Sequence, residues 1–214
     1  MRSERQRVIY LHGFNSSPDS QKARLFASFC HAQGVQDVVV PALSHDPARA
    51  MQTLEDCIGP GGTRVALLVG SSLGGYYATY LAERYGLKAA LINPAVAPCA
   101  HLPSGIIGKH CNYYTHEEYE FTREHVAFLQ TLEVERIRVP AQYLLLVQTG
   151  DEMLDYRLAV KFYAGCRQIV QQGGSHSFDN FAAVLPLILQ FAGFATASTS
   201  TTAPSSPRSD LPAS

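Results

Sequence analysis

The chain has 214 residues, 46% of them hydrophobic, enough for one buried core and unlike a fibrous or wholly disordered protein. Its 17 basic and 18 acidic residues are scattered and leave a formal net charge of −1, which excludes a cationic footprint for nucleic acid or anionic lipid. Cys30, Cys57, Cys99, Cys111 and Cys166 stand at irregular spacing without a C-x-x-C pair, which excludes a disulfide framework or a zinc site.

The first seven residues are charged and lack the apolar stretch of a signal peptide, and no apolar run approaches the ~20 residues of a membrane span. A cytoplasmic protein is expected, with no membrane partner and no nucleic acid. Val8 to Leu11 is the first predicted strand, and the loop His12-Gly13-Phe14-Asn15-Ser16-Ser17-Pro18 follows it. A helix is predicted over Ser20 to Gln33, a strand over Gln36 to Val40 and a helix over Pro47 to Ile58; between the last two, His45 is placed to line a pocket. The strand Arg64 to Val69 runs into Gly70-Ser71-Ser72-Leu73-Gly74-Gly75 and then a helix, Leu73 to Tyr85. Lys88 to Ile92 is the next strand.

From Pro94 to Pro140 the alternation stops. This interval has three early prolines, several aromatic residues and one helical stretch near Thr122 to Glu133, but no clear strand, and it is read as a small cap over a site. The rhythm resumes with the strand Gln142 to Gln148, a helix from Tyr156 to Ala164, the strand Arg167 to Gln171 and a helix from Asp179 to Phe191. Residues 195–214, rich in Ala, Ser, Thr and Pro, have almost nothing to bury and are read as a disordered tail after a domain spanning residues 1–194. Six strands alternating with five helices predict an α/β fold: a mostly parallel six-stranded sheet with helices on both faces.

Ser72 carries the chemistry. A G-x-S-x-G turn between strand and helix forces its central serine into a strained conformation, and glycines on either side remove side chains that would collide there. That arrangement is the nucleophile elbow of α/β-hydrolases, with the Leu73 N–H placed to receive an oxyanion. A serine hydroxyl needs a base, and His176 stands in Gly173-Gly174-Ser175-His176-Ser177-Phe178, between the last strand and the last helix. His31, His101, His110, His116 and His125 fall in a helix or the cap and are read as surface or cap residues. The imidazole needs a carboxylate, which chain order places between residues 72 and 176; Asp151, directly after a sheet strand, answers this. Glu152 and Asp155 are rivals, Asp155 more naturally capping the helix at Tyr156. The second oxyanion donor is expected from the loop after the first strand, where Gly13 lets the backbone approach and turn the Phe14 N–H toward a substrate carbonyl. His12, Gly13, Asn15 and Met153 are the candidate substrate contacts.

Leu11 to Pro18, Gly70 to Tyr76, Asn93-Pro94-Ala95, Thr149 to Glu152 and Gly173 to Phe178 together resemble the YqiA-type esterases of bacteria, over roughly residues 7 to 193. The resemblance implies an α/β-hydrolase acting on short acyl esters, with Ser72, Asp151 and His176 as nucleophile, acid and base. The expected reaction is hydrolysis of a small-molecule ester through an acyl-enzyme, without metal or cofactor. The polar cap, with His116-Glu117-Glu118-Tyr119-Glu120, favours short-chain or small polar acyl groups. Two alternatives remain: a thioesterase using the same triad, and a non-catalytic small-molecule binding module on the same fold.

Overall fold

The computed structural model describes residues 6–62, 64–101 and 105–195, so the predicted tail lies, beyond Ala195, outside the described residues. In chain order the elements are β1 (Arg7–Leu11), α1 (Gln21–Ala32), β2 (Val38–Val39), α2 (Pro47–Ile58), β3 (Val65–Ser71), α3 (Leu73–Tyr85), β4 (Ala89–Ile92), β5 (Gly108–Cys111), β6 (Glu118–Phe121), α4 (Arg123–Thr131), β7 (Tyr143–Gln148), α5 (Tyr156–Phe162), β8 (Arg167–Gln171) and α6 (Leu185–Ala192).

Six strands form one sheet in the order β2-β1-β3-β4-β7-β8, every neighbouring pair parallel. Side chains alternate across each strand, so the apolar runs feed two cores. Val8 and Tyr10 of β1, Leu67 and Val69 of β3, and Leu144 and Leu146 of β7 pack with α1 and α6. Ile9, Leu11, Leu68, Leu91 and Leu145 face the opposite way, toward α2, α3 and α5. The chain moves from β1 outward to β2 and then back to β3 on the other side of β1. This reversal opens a crevice at the carboxyl ends of β1 and β3, the place where α/β sheets bind ligands.

Local chemistry sets the helix ends. The Asp46 carboxylate accepts the Ala48 N–H at the start of α2, with Pro47 preorganised in the first turn. Asp155 caps α5 by accepting the Arg157 N–H at 3.0 Å.

Three expectations are corrected. β2 is two residues long, not five, because it pairs only with β1 at the sheet edge. The last helix begins as a 3-10 turn, Phe181–Val184, after Asn180 adopts a positive φ of 55°, and becomes α-helical only at Leu185. The cap, expected to lack strands, contains the antiparallel hairpin β5–β6, with Gly108 opposite Phe121 and Cys111 opposite Glu118. Its strands are four residues each and mostly polar, so no β-branched run announces them. The hairpin turn is organised by Asn112, whose Oδ1 accepts the N–H groups of Tyr114 and Thr115.

Candidate active site

Ser72 sits between the end of β3 and the start of α3 with φ 55° and ψ −122°, a conformation L-residues adopt only under constraint. The constraint is backbone packed on backbone. The Ser72 N–H donates to the Ile92 carbonyl at 3.1 Å, and the Ser72 carbonyl accepts the Gly75 and Ala95 N–H groups at 2.9 and 3.0 Å. The glycines leave no room for a methyl: a Cβ on Gly74 would lie 2.1 Å from the Leu11 carbonyl oxygen, and one on Gly70 2.4 Å from that of Gly74. A Cβ on Gly13 would come within 3.1 Å of the Ser72 Cβ, so the loop after β1 is drawn tight against the serine.

The His176 Nε2 lies 3.1 Å from the Ser72 Oγ, and its Nδ1 lies 2.9 and 3.0 Å from the two carboxylate oxygens of Asp151. The Asp151 side chain is buried, which pushes its pKa up, but the His176 ring and the amides of Leu154 and Met153 outweigh that and hold it below the usual carboxylate range. The two rivals for its place have other partners. Asp155 caps α5, and the Glu152 Oε2 accepts the backbone N–H of His176 at 3.0 Å, fixing the loop that carries the ring.

Two residues outside the predicted site complete its support. Asn93, at the end of β4 with a positive φ of 40°, is buried; its Nδ2 donates to the carbonyls of Ser175 and His176, and its Oδ1 accepts the Gln148 N–H. The buried Gln148 side chain accepts the N–H groups of Ser175 and Asp179 and donates to Gln171 and the Asp179 carbonyl. The His176 loop is therefore tied at several points to the ends of β4 and β7. A polar residue ending an otherwise apolar buried strand was the available signal: Ile92-Asn93 and Val147-Gln148 both have it.

The fold places the expected oxyanion donors and substrate contacts around the same serine. Phe14 and Leu73 border the same cavity as Ser72 and His176, and among the described residues neither backbone N–H has a protein acceptor. His12 is buried and uses both ring nitrogens internally. Its Nε2 accepts the Leu43 N–H at 3.1 Å, which leaves Nδ1 to donate to the Gly13 carbonyl at 3.0 Å. Burial lowers its pKa and favours the neutral ring this pattern needs. Asn15 borders the cleft, but its Oδ1 receives the Tyr119 hydroxyl of the cap. The exposed Met153 side chain lies at the rim of the cavity. His45 stacks on Tyr119 with ring centroids 4.2 Å apart and lies 3.6 Å from Glu117, lining a polar pocket behind the β1 loop.

The cavity next to Ser72 holds about 300 Å³ and is walled by Phe14, Leu73, Ile106, Phe121, Leu129 and Leu158, among others. The acidic side chains that make the cap sequence polar lie on its outer surface, with Glu117, Glu118 and Glu120 exposed, whereas His101 borders the cavity and Phe121 is buried against Phe14 with ring centroids 5.3 Å apart. Among the described residues no three His, Cys, Asp or Glu side chains converge as metal ligands, and no helix is long and apolar enough to cross a membrane.

Sheet order, crossovers and elbow are those of the α/β-hydrolase fold. The chain is similar in structure to α/β-hydrolase domain-containing protein 10 from mouse, at TM-score 0.64 and 16% identity over 90% of each chain. It is also similar to the esterase domain of a Rhodothermus marinus protein, at TM-score 0.63 and 16% identity over 89% of this chain and 88% of that one. Within that fold, residues 7–193 match the model of the Uncharacterised protein family UPF0227, and the chain belongs to that family, the YqiA-like group its motifs resemble. A UPF0227 protein of Serratia proteamaculans (strain 568) is 26% identical over 188 residues, 86% of this chain and 97% of the relative.

Proposed function

We propose that the chain is a serine esterase that hydrolyses carboxylic esters through a covalent acyl-enzyme. The observation that carries this reading is the unbroken hydrogen-bond relay from the Ser72 Oγ through the two nitrogens of His176 to the Asp151 carboxylate. The Ser72 Oγ attacks the ester carbonyl carbon and its proton passes to the His176 Nε2. The oxygen that gains charge is held by the Phe14 and Leu73 amides. As the carbonyl re-forms, the C–O bond to the alcohol breaks and His176 returns the proton to the departing oxygen. Water, deprotonated by His176, then releases the acid from Ser72.

The apolar cavity takes the acyl chain. Its volume, about 300 Å³, lies at the lower end of the roughly 300–1,000 Å³ of small-molecule pockets, which fits a short or medium aliphatic acyl group. Of the short-chain and small polar acyl groups expected from the cap sequence, the apolar lining favours the short hydrocarbon chain. Five free cysteines suit the cytoplasmic location proposed with this activity. Ser72→Ala is expected to lower kcat on p-nitrophenyl butyrate on the order of 10⁴-fold or more, because nucleophile and base act as a unit. A fluorophosphonate should label Ser72 in the wild type, seen as a mass shift of its peptide. Retention of most hydrolysis by Ser72→Ala would sink the assignment.

A further inference from the structure

The space around Ser72 divides into two chambers, one strongly apolar and one of mixed, more polar lining. One is the apolar cavity under the cap. The other is a cleft of about 210 Å³ bordered by Ser72, His176, Ser177, Tyr113, Tyr114 and Lys22. Serine and tyrosine residues make up about half of its lining, and Lys22 is the cation among the residues that line it.

Lys22 comes from the first turn of α1, which carries no acidic residue. It is partly buried, and among the described residues its ammonium has no hydrogen-bond or ion-pair partner. Asp151 is the carboxylate whose field it feels, but the Asp151 oxygens are already engaged by His176, Met153 and Leu154. Burial pulls the Lys22 pKa down to about 8 against that attraction. A half-desolvated cation with no hydrogen-bonded anion among the described residues is a binding group for an incoming anion. The deacylation step indicates which arm of the ester lies there. The acyl arm stays on Ser72 after the first step and is best buried in the apolar cavity, whereas water must afterwards reach the acyl carbon beside His176. The polar cleft, vacated by the alcohol, admits that water.

We infer that Lys22 selects esters whose alcohol arm carries a negative group, a carboxylate or a phosphate, while the acyl arm is apolar. The inference rests on the esterase reading.

The test compares 4-(butyryloxy)benzoate with 4-(butyryloxy)benzamide, which share the acyl group and differ in the charge of the alcohol arm. Wild type is expected to prefer the carboxylate about tenfold or more in kcat/KM, mostly through KM. Lys22→Met should bring the ratio to within about twofold of one, whatever happens to the absolute rates, and Lys22→Arg should keep a preference. Should Lys22→Met not fold by circular dichroism, Lys22→Gln replaces it. A 4-(butyryloxy)phenyl phosphate arm distinguishes the two anions by which ratio is larger. In wild type the preference should decline as pH rises through about 8, because the ammonium is present below that pH and lost above it. Tyr10, His12, Tyr113, Tyr114, Asp151 and His176 also border or influence Lys22 or the cleft, but they act on both esters, so the ratio isolates Lys22.

A wild type that hydrolyses both esters with a ratio near one overturns the inference and leaves the esterase reading intact. So does a ratio that survives Lys22→Met. A preference for p-nitrophenyl hemisuccinate over p-nitrophenyl butyrate overturns it by placing the charge on the acyl arm. A protein that hydrolyses none of these esters, and whose Ser72 ignores the fluorophosphonate, overturns both readings.

Discussion

At the carboxyl edge of the sheet backbone rests on backbone, whereas the cap is held mainly by side chains reaching across long stretches of sequence, with a long main-chain bond from the Tyr113 N–H to the Asn15 carbonyl at 3.4 Å beside them. Around Ser72 the Leu11 carbonyl, the Gly70–Gly75 turn and Pro94 are so close that a Cβ on Gly75 would lie 2.6 Å from that of Pro94. In the cap, Tyr119 stacks on His45 and lies near His110, its hydroxyl reaches Asn15 104 residues away, and the Asn112 amide donates to the Ser16 carbonyl at 3.1 Å. The first kind of contact has no slack, because main-chain atoms cannot change rotamer. The second can re-form in more than one way. The elbow should therefore fail abruptly under small changes and the cap should yield gradually.

Gly74→Ala tests the abrupt end. The new methyl, whose position the α3 backbone fixes, would meet the main-chain Leu11 carbonyl oxygen at 2.1 Å, so either β1 or α3 must move. The expected cost is more than about 3 kcal/mol, read from urea denaturation, with loss of ester hydrolysis even in the fraction that folds. Near-normal stability and turnover would mean that the β1 loop and the elbow are not locked together.

Asn93→Ala probes the next layer, a side chain that substitutes for backbone contact. The truncation leaves the Gln148 N–H and the carbonyls of Ser175 and His176 without this partner, at about 1–3 kcal/mol. Since those carbonyls belong to the loop carrying His176, kcat should also fall, on the order of ten- to a hundredfold, while KM changes little. Slower fluorophosphonate labelling of Ser72 is the companion readout. A variant that loses stability but keeps kcat would make Asn93 a brace for the fold rather than for His176.

The same contrast explains which parts of the molecule were legible in the sequence. The bounds of α2, α3 and β8 match expectation residue for residue, and β1, β4 and β7 differ by a single residue at one end, because apolar strands and capped amphipathic helices are specified locally. Ser72, Asp151 and His176 were legible for a related reason: the fold fixes where strand ends meet, and each stands just beyond one. The β5–β6 hairpin was not, since Gly108–Cys111 and Glu118–Phe121 carry neither period nor propensity strong enough to declare a strand. Its strands persist by pairing with each other and by the pins to Asn15 and Ser16, contacts that exist only after the chain has folded. Lys22 was hidden for another reason. Within α1 it reads as an ordinary helix lysine until the β1 loop and the His176 loop close the cleft over it.

Tyr119→Phe addresses the yielding end and carries the smallest expected effect. It removes the hydroxyl that reaches Asn15 but keeps the ring that stacks on His45 and lies edge-on to Phe14, with centroids 4.2 and 6.2 Å away. Only one partly exposed hydrogen bond is lost, so stability should change by about 1 kcal/mol or less. The freed Asn15 side chain then competes for the mouth of the cleft, and with the cap less firmly seated on the β1 loop KM should rise a few-fold at nearly constant kcat. The Phe14 amide is held from the other direction, through Gly13 packed on Ser72 and His12 bonded to Leu43, and neither contact involves the cap. That separation makes the outcome informative. If kcat on p-nitrophenyl butyrate fell by a hundredfold instead, the cap would be setting the position of the loop after β1, and the division between a locked floor and an adaptable roof would not hold.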